Sequence, residues 1–194
     1  MKNILRTNKF KSENSGFTLI ELVVGMVIII TSATAVVVLL SSSFRVSSKT
    51  TSLEAVRASG NNAINLMQRT IQFADGFSGV SQDGVSPYST SCPTISTTYS
   101  YVRVRSGNGT KQFSCTNTGG VWYLKYNQGG GDVDLIDTTD LANITSCQLT
   151  CSQNSESVAP VIGISFSLSL KSTSSIPDKN ATVSFSTSAK MRNL

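Results

Sequence analysis

Histidine is absent from all 194 residues, tryptophan occurs once, and Lys, Arg, Asp and Glu together make up only 14% of the chain. Without histidine the chain lacks the side chain most often used for general acid–base work and the commonest metal ligand. It has no glycine-rich loop of the phosphate-cradling kind and no pair of acids placed by a recognisable motif. These absences leave catalysis without a candidate group. The sequence therefore reads as a non-enzyme with no cofactor and no small-molecule substrate. Charge is sparse while Ser, Thr, Gly and Asn are abundant, a balance that suits a strand-rich exported surface better than a cytosolic enzyme. Proline occurs four times, and never between Phe17 and Leu40.

What the chain does have is one long apolar run, GFTLIELVVGMVIIITSATAVVVLL, from Gly16 to Leu40. As a helix, Phe17 to Leu40 would reach about 36 Å, against a bilayer hydrocarbon core of about 30 Å. Ahead of the run, Lys2, Arg6, Lys9 and Lys11 stand against Glu13, so three of the five net positive charges precede residue 16. A basic segment followed by an apolar one keeps an N-terminus in the cytoplasm and passes the remainder outward. Residues 41–194 are therefore expected to face the periplasm or the exterior. They are nearly neutral, and roughly 150 residues suffice for one compact domain with a modest core.

Glu21 is the difficulty in the apolar run. A carboxylate inside hydrocarbon costs about 2.5–3.5 kcal/mol on insertion scales and is expected to have a partner, yet no Lys, Arg or His lies within the span. A cleaved secretory signal is one alternative, with Ala33-Thr34-Ala35 as the small-residue site. It leaves Glu21 at the front of the apolar core and Val36 to Leu40 continuing the run past the cut. An ordinary membrane anchor leaves the acid unpaired. Cleavage after Gly16 would instead create an α-amino group on Phe17, four residues from Glu21 and on the same helical face, in this chain or a neighbouring one.

The stretch SGFTLIELVVGMVIII resembles the N-terminus of type IV prepilins and type II secretion pseudopilins. The resemblance implies a cleaved basic leader, residues 1–16, cut by a prepilin peptidase between Gly16 and Phe17. It also implies N-methylation of Phe17 and neutralisation of the Phe17 amine of an adjacent subunit by Glu21. Other pilins or pseudopilins and an inner-membrane assembly platform would be the partners. The chain would begin as a single-pass precursor in the bacterial inner membrane and end in a filament. Many major pilins carry a proline in mid-helix; here Gly25 is the only flexible point, which favours a minor pilin or pseudopilin. INLMQRTIQFADG at 64–76 and the ending FSTSAKMRNL are similar to minor pilins of the PilW type and pseudopilins of the J type.

Beyond the span the apolar period changes. Leu53, Val56, Gly60, Ala63, Met67, Ile71 and Ala74 recur at spacings of three and four between polar residues. One helix is expected from about residue 17 to 74, its first part (17–40) membrane-spanning and its amphipathic continuation assigned to 41–76, with ADGFSG as the stop. Strand patterns then follow over 77–194. Tyr99 to Arg105 alternates, SGNG at 106–109 turns the chain, and Thr110 to Cys115 and Val121 to Tyr126 are further strands. In Val161 to Leu170 and Ala181 to Lys190, apolar residues alternate with serine and threonine, joined by a polar loop at 171–180. The fold class expected is α+β and pilin-like, a long N-terminal helix packed on an antiparallel β-sheet domain.

Cys92, Cys115, Cys147 and Cys151 are even in number and all on the exported side, which points to disulfides. Of the three connectivities, Cys92–Cys115 and Cys147–Cys151 are favoured because each pair brackets a local loop. Zinc is disfavoured by the missing histidine, the 92-to-115 gap and the oxidising compartment.

Two surface features suggest ligands. Tyr99, Tyr101, Arg103 and Arg105 in YSYVRVR would share one strand face, suited to stacking on bases and pairing with phosphates; a solvated sheet face is the favoured reading, because the chain beyond residue 16 carries a net charge of only +2 and shows no broader basic stripe. GGGDVDLIDTTD places Asp132, Asp134, Asp137 and Asp140 in a glycine-led loop reminiscent of calcium sites, but without the spacing of an EF-hand. The Asn-x-Thr triplets at Asn108, Asn143 and Asn180 are incidental in a bacterial export system. The functional expectation is a filament subunit. The alternative is a tip-located adhesin or DNA receptor using residues 77–160.

Overall fold

The computed structural model describes residues 16, 18–107, 109–139, 142–155, 157–171 and 181–192. The chain divides into two compact units, Met1–Ser47 and Ser48–Leu194. A single helix, α1 (Leu19–Gln72), contributes to both. Among the described residues it is followed by nine strands: β1 (Gly76–Ser81), β2 (Thr97–Tyr99), β3 (Tyr101–Ser106), β4 (Gly109–Thr118), β5 (Val121–Asn127), β6 (Asp132–Asp134), β7 (Ala142–Ser152), β8 (Val161–Leu170) and β9 (Thr182–Lys190).

In the first unit the apolar side chains of α1 are exposed all round, including Leu19, Ile29 and Leu39. The helix is long and apolar enough to cross a membrane. Its hydroxyls hydrogen-bond to the helix's own carbonyls: Ser32 Oγ donates to Ile28 O at 2.7 Å, Ser41 Oγ to Val37 O at 2.8 Å, and Thr31 Oγ1 to Val27 O at 3.0 Å. These polar groups therefore add little cost in an apolar environment.

In the second unit the expected stripe is realised. Val56, Gly60, Ala63, Met67, Ile71 and Ala74 are buried and Leu53 is half-buried. Each fully buried aliphatic side chain here contributes about 1.5–3 kcal/mol. Gly60 marks the closest approach to the sheet: a Cβ there would lie 2.3 Å from Phe185 Cζ. Phe185 in turn stacks on Phe166 at 5.1 Å between ring centroids. The helix ends as expected near ADG, where Asp75 N donates to Arg105 O at 2.8 Å and hands the chain to the sheet.

The strands form two antiparallel sheets, ordered β1-β3-β4-β5-β6 and β2-β7-β8-β9. The α+β architecture of a long N-terminal helix with antiparallel sheet stands, but the division into two sheets is a departure from the sequence expectation. The chain crosses from one sheet to the other at Ser100. The alternating stretch 99–105 is broken there, so that Tyr99 pairs with Leu149 in the second sheet and Tyr101 with Ser114 in the first. Ser100 is pinned at the crossing, its N–H on Ser81 O at 3.2 Å and its carbonyl accepting from Cys115 N at 2.8 Å. In β8 the expected alternation holds, with Ile162, Ile164, Phe166 and Leu168 buried. Val102, Val104, Phe113 and Leu124 of the first sheet share one core with these residues and with Val56 and Met67 of α1.

The disulfide pairing corrects the sequence expectation. Cys92 bonds Cys151 and Cys115 bonds Cys147, with Cα–Cα separations of 5.7 and 5.5 Å. Cys147 and Cys151 both lie on β7. Four residues along a strand span about 13 Å, well beyond the roughly 4.4–6.8 Å between Cα atoms that a disulfide bridges. The segment taken for a local loop is an extended strand. Pairing of Thr97 with Cys151 brings the chain before β2 alongside the end of β7, where Cys92 N donates to Gln153 Oε1 at 3.0 Å. Cys115 on β4 meets Cys147 across the two sheets.

Candidate functional site

The start of α1 is built by Thr18 and Glu21. Thr18 Oγ1 donates to Glu21 Oε2 at 3.0 Å, Thr18 N donates to the same oxygen at 3.2 Å, and Glu21 N donates to Thr18 Oγ1 at 3.4 Å. Thr18 O accepts the first intrahelical bond, from Leu22 N at 3.3 Å. This reciprocal arrangement is a capping box, with Thr18 as N-cap and Glu21 at the third helical position. The carboxylate also lies at the positive end of the helix dipole, where negative charge is favoured. Among the described residues Glu21 Oε1 has no hydrogen-bond partner, so the carboxylate can hold the cap through one oxygen and accept an ammonium through the other. Gly16 is exposed beside this cap, and Phe17 lies outside the described residues. Sequence reasoning missed Thr18, although T-x-x-E ahead of an apolar run signals a cap.

The ligand face expected on 99–105 is only partly assembled. Tyr101, Arg103 and Arg105 alternate with buried Val102 and Val104 on β3, whereas Tyr99 belongs to the other sheet. Arg103 is already engaged: its guanidinium lies 3.9 Å from the Tyr88 ring centroid and its Nε donates to Gln112 Oε1 at 2.7 Å. Burial raises the Tyr88 phenol above its ordinary value. Arg105 folds back over Gly76, where a Cβ would lie 2.9 Å from Nη2.

The acidic loop is spread out rather than convergent. Asp132 and Asp134 lie on the edge strand β6, where Asp132 Oδ1 accepts from Asn127 Nδ2 at 2.8 Å and Asp134 stands opposite Lys125. Asp137 Oδ1 accepts from Thr139 N at 2.9 Å and from the Thr139 hydroxyl, closing its own turn. Asp140 lies outside the described residues. Among the described residues no three His, Cys, Asp or Glu side chains are grouped to hold a metal ion.

Residues 11–37 match the family model described as the prokaryotic N-terminal methylation motif. The chain carries this methylation motif. No curated protein and no solved structure matches the chain. The motif indicates a prepilin-type protein, processed by a peptidase and interacting with other pilins. Gly16, Phe17, Thr18 and Glu21 all fall inside the motif, together with most of the exposed apolar surface of α1. The cysteines, the β3 face and the aspartates fall outside it. Motif and helix together fit a protein anchored in the inner membrane before it enters a filament.

Proposed function

We propose that this chain is a minor pilin or pseudopilin, a structural subunit of a type IV pilus or type II secretion pseudopilus. The observation that carries the reading is the coincidence of the methylation motif with a capped apolar helix whose one charged residue before Arg45 is Glu21. A prepilin peptidase cuts between Gly16 and Phe17, and the new Phe17 amine is N-methylated. Apolar side chains of α1 leave the bilayer for packing against the same helices of neighbouring subunits. Glu21 neutralises the amine of the adjacent subunit, since an unpaired carboxylate would oppose that packing. The inner-membrane platform supplies subunits to this step, and the two disulfides belong to the exported unit.

Mass spectrometry of the N-terminal peptide from native cells tests the processing. A peptide beginning at N-methylated Phe17 is expected. One beginning at Val36 would mean a secreted domain, and an intact Met1 a plain anchor; either overturns the reading.

A second reading, a tip-located adhesin or DNA receptor on the same filament, draws support from the shared face of Tyr101, Arg103 and Arg105. Replacing Arg103 and Arg105 by Ala would then abolish DNA uptake while leaving filaments intact.

A further inference from the structure

At one end of the first sheet a notch of about 290 Å³ opens beside Gln82, Asp83, Tyr101, Asn117 and Trp122. It exists because the strands are of unequal reach. β3 begins at Tyr101, opposite Ser114, while β4 runs on to Thr118 and its last residues overhang β3. The turn after β1 and the crossing at Ser100 close the sides, and the buried Cys115 forms the base. Trp122, the only tryptophan in the chain, stands opposite Asn117 in the β4–β5 ladder.

Three of the side chains lining this notch, Asp83, Asn117 and Gln82, are fixed by hydrogen bonds that leave part of their capacity unused. Asp83 Oδ1 accepts from Ser81 Oγ at 2.7 Å and Val85 N at 3.0 Å. Asn117 Oδ1 accepts from Gly120 N at 3.0 Å, and Gln82 Nε2 donates to Thr98 O at 2.5 Å. Tyr101 rests on Gly84, a residue at φ 78° where a Cβ would lie 2.8 Å from the ring. That leaves Asp83 Oδ2 and Gln82 Oε1 as acceptors, Asn117 Nδ2 and Trp122 Nε1 as donors, and the Tyr101 hydroxyl as either. Among the described residues none of these five groups has a hydrogen-bond partner.

We propose that this notch binds a neutral hexopyranose at the end of a glycan. A sugar hydroxyl both donates and accepts, so it can satisfy adjacent donors and acceptors together. The half-buried faces of Tyr101 and Trp122 offer apolar surface to the C–H bonds of a pyranose ring. No Lys or Arg lines the notch and the Asp83 carboxylate faces incoming anions, which disfavours a phosphate or a nucleic acid. The volume falls just below the roughly 300–1,000 Å³ of sites for drug-sized molecules, which suits a single ring. The site requires only the folded Ser48–Leu194 unit and is independent of the filament reading.

Because Trp122 is the sole tryptophan, its emission reports on the notch directly. The full-length protein, in a detergent without a sugar headgroup, is titrated with glucose, galactose, mannose and N-acetylglucosamine. At least one is expected to give a saturable change in the millimolar range, as befits a ligand of few atoms. Asp83→Asn keeps an oxygen for Ser81 and Val85 but turns the second acceptor into a donor, and should weaken binding about tenfold or more. Asn117→Ala should do the same, with unchanged far-ultraviolet circular dichroism in both variants. Lys190→Ala, on the other sheet, should bind like the parent. The proposal is overturned if none of the four sugars saturates, if Asp83→Asn responds like the parent, or if inorganic phosphate or oligo-dT displaces the sugar.

Discussion

At the scale of the residue, Glu21 carries two tasks that substitutions can separate. Its Oε2 closes the cap with Thr18, and its charge is what the proposed amine contact needs. Gln at the third helical position still completes a capping box but carries no charge. Glu21→Gln is therefore expected to keep the helix start and lose filament assembly, whereas Thr18→Ala weakens the cap by about 1 kcal/mol and leaves assembly in place. Immunoblots of sheared filaments against whole-cell protein read both, and filaments at parental level in Glu21→Gln would remove the electrostatic role. A second residue-scale effect concerns acid. The hydrogen bond from Ser81, then that from the Val85 N–H, lowers the Asp83 carboxyl below its ordinary value of 3.8. A lowered folded value stabilises above that ordinary value, and the contribution disappears as pH falls through the folded one. Ser81→Ala should thus be less stable than the parent at about pH 6, and the difference should shrink at about pH 3, as urea midpoints at the two values would show.

Among the elements, the contact between α1 and β9 is set by one missing side chain. Glycine within a helix costs about 1 kcal/mol relative to alanine, so its place in α1 calls for a compensating reason. Phe185 provides it, since the three nearest atoms to a Cβ at position 60 all belong to that ring. Gly60→Ala gains helix propensity but overpacks the contact, at a cost of about 1–3 kcal/mol. The net expectation is destabilisation that Phe185→Leu partly rescues, a coupling that a double-mutant cycle in denaturant would measure. Gly60→Ala melting at or above the parent would show that helix and strand can separate freely. The stripe containing Gly60 was legible because helical periodicity is local and unbroken from Leu53 to Ala74. β7 was not. Its register shifts between Ile144 and Ser146, so the apolar alternation changes phase within the strand and two of its inward residues are cysteines. The saccharide notch was equally invisible, because its lining comes from segments near residues 82, 101 and 117–122 that meet only through strand pairing.

For the whole molecule, the two disulfides tie the second unit together at two points, one between the sheets at Cys115–Cys147 and one from the segment before β2 to the end of β7 at Cys92–Cys151. Periodicity places strands but not their long-range partners, which is why loop proximity suggested the wrong pairs; register alone brings Thr97 to Cys151 and thereby Cys92 to its partner. The bonds close sequence separations of 59 and 32 residues, for which the chain-entropy relation gives roughly 4 kcal/mol each. Against a net stability of about 5–15 kcal/mol for a domain, either bond is a large share. Cys115–Cys147 joins one sheet to the other, so the Cys115→Ser, Cys147→Ser double variant should lose roughly 3–4 kcal/mol while still forming Cys92–Cys151. Non-reducing peptide mapping of the parent should recover Cys92 with Cys151 and Cys115 with Cys147. Recovery of a Cys147–Cys151 peptide pair would mean that β7 is not extended at that point, and with it the ladder to β8 and the seating of β2 would have to be redrawn.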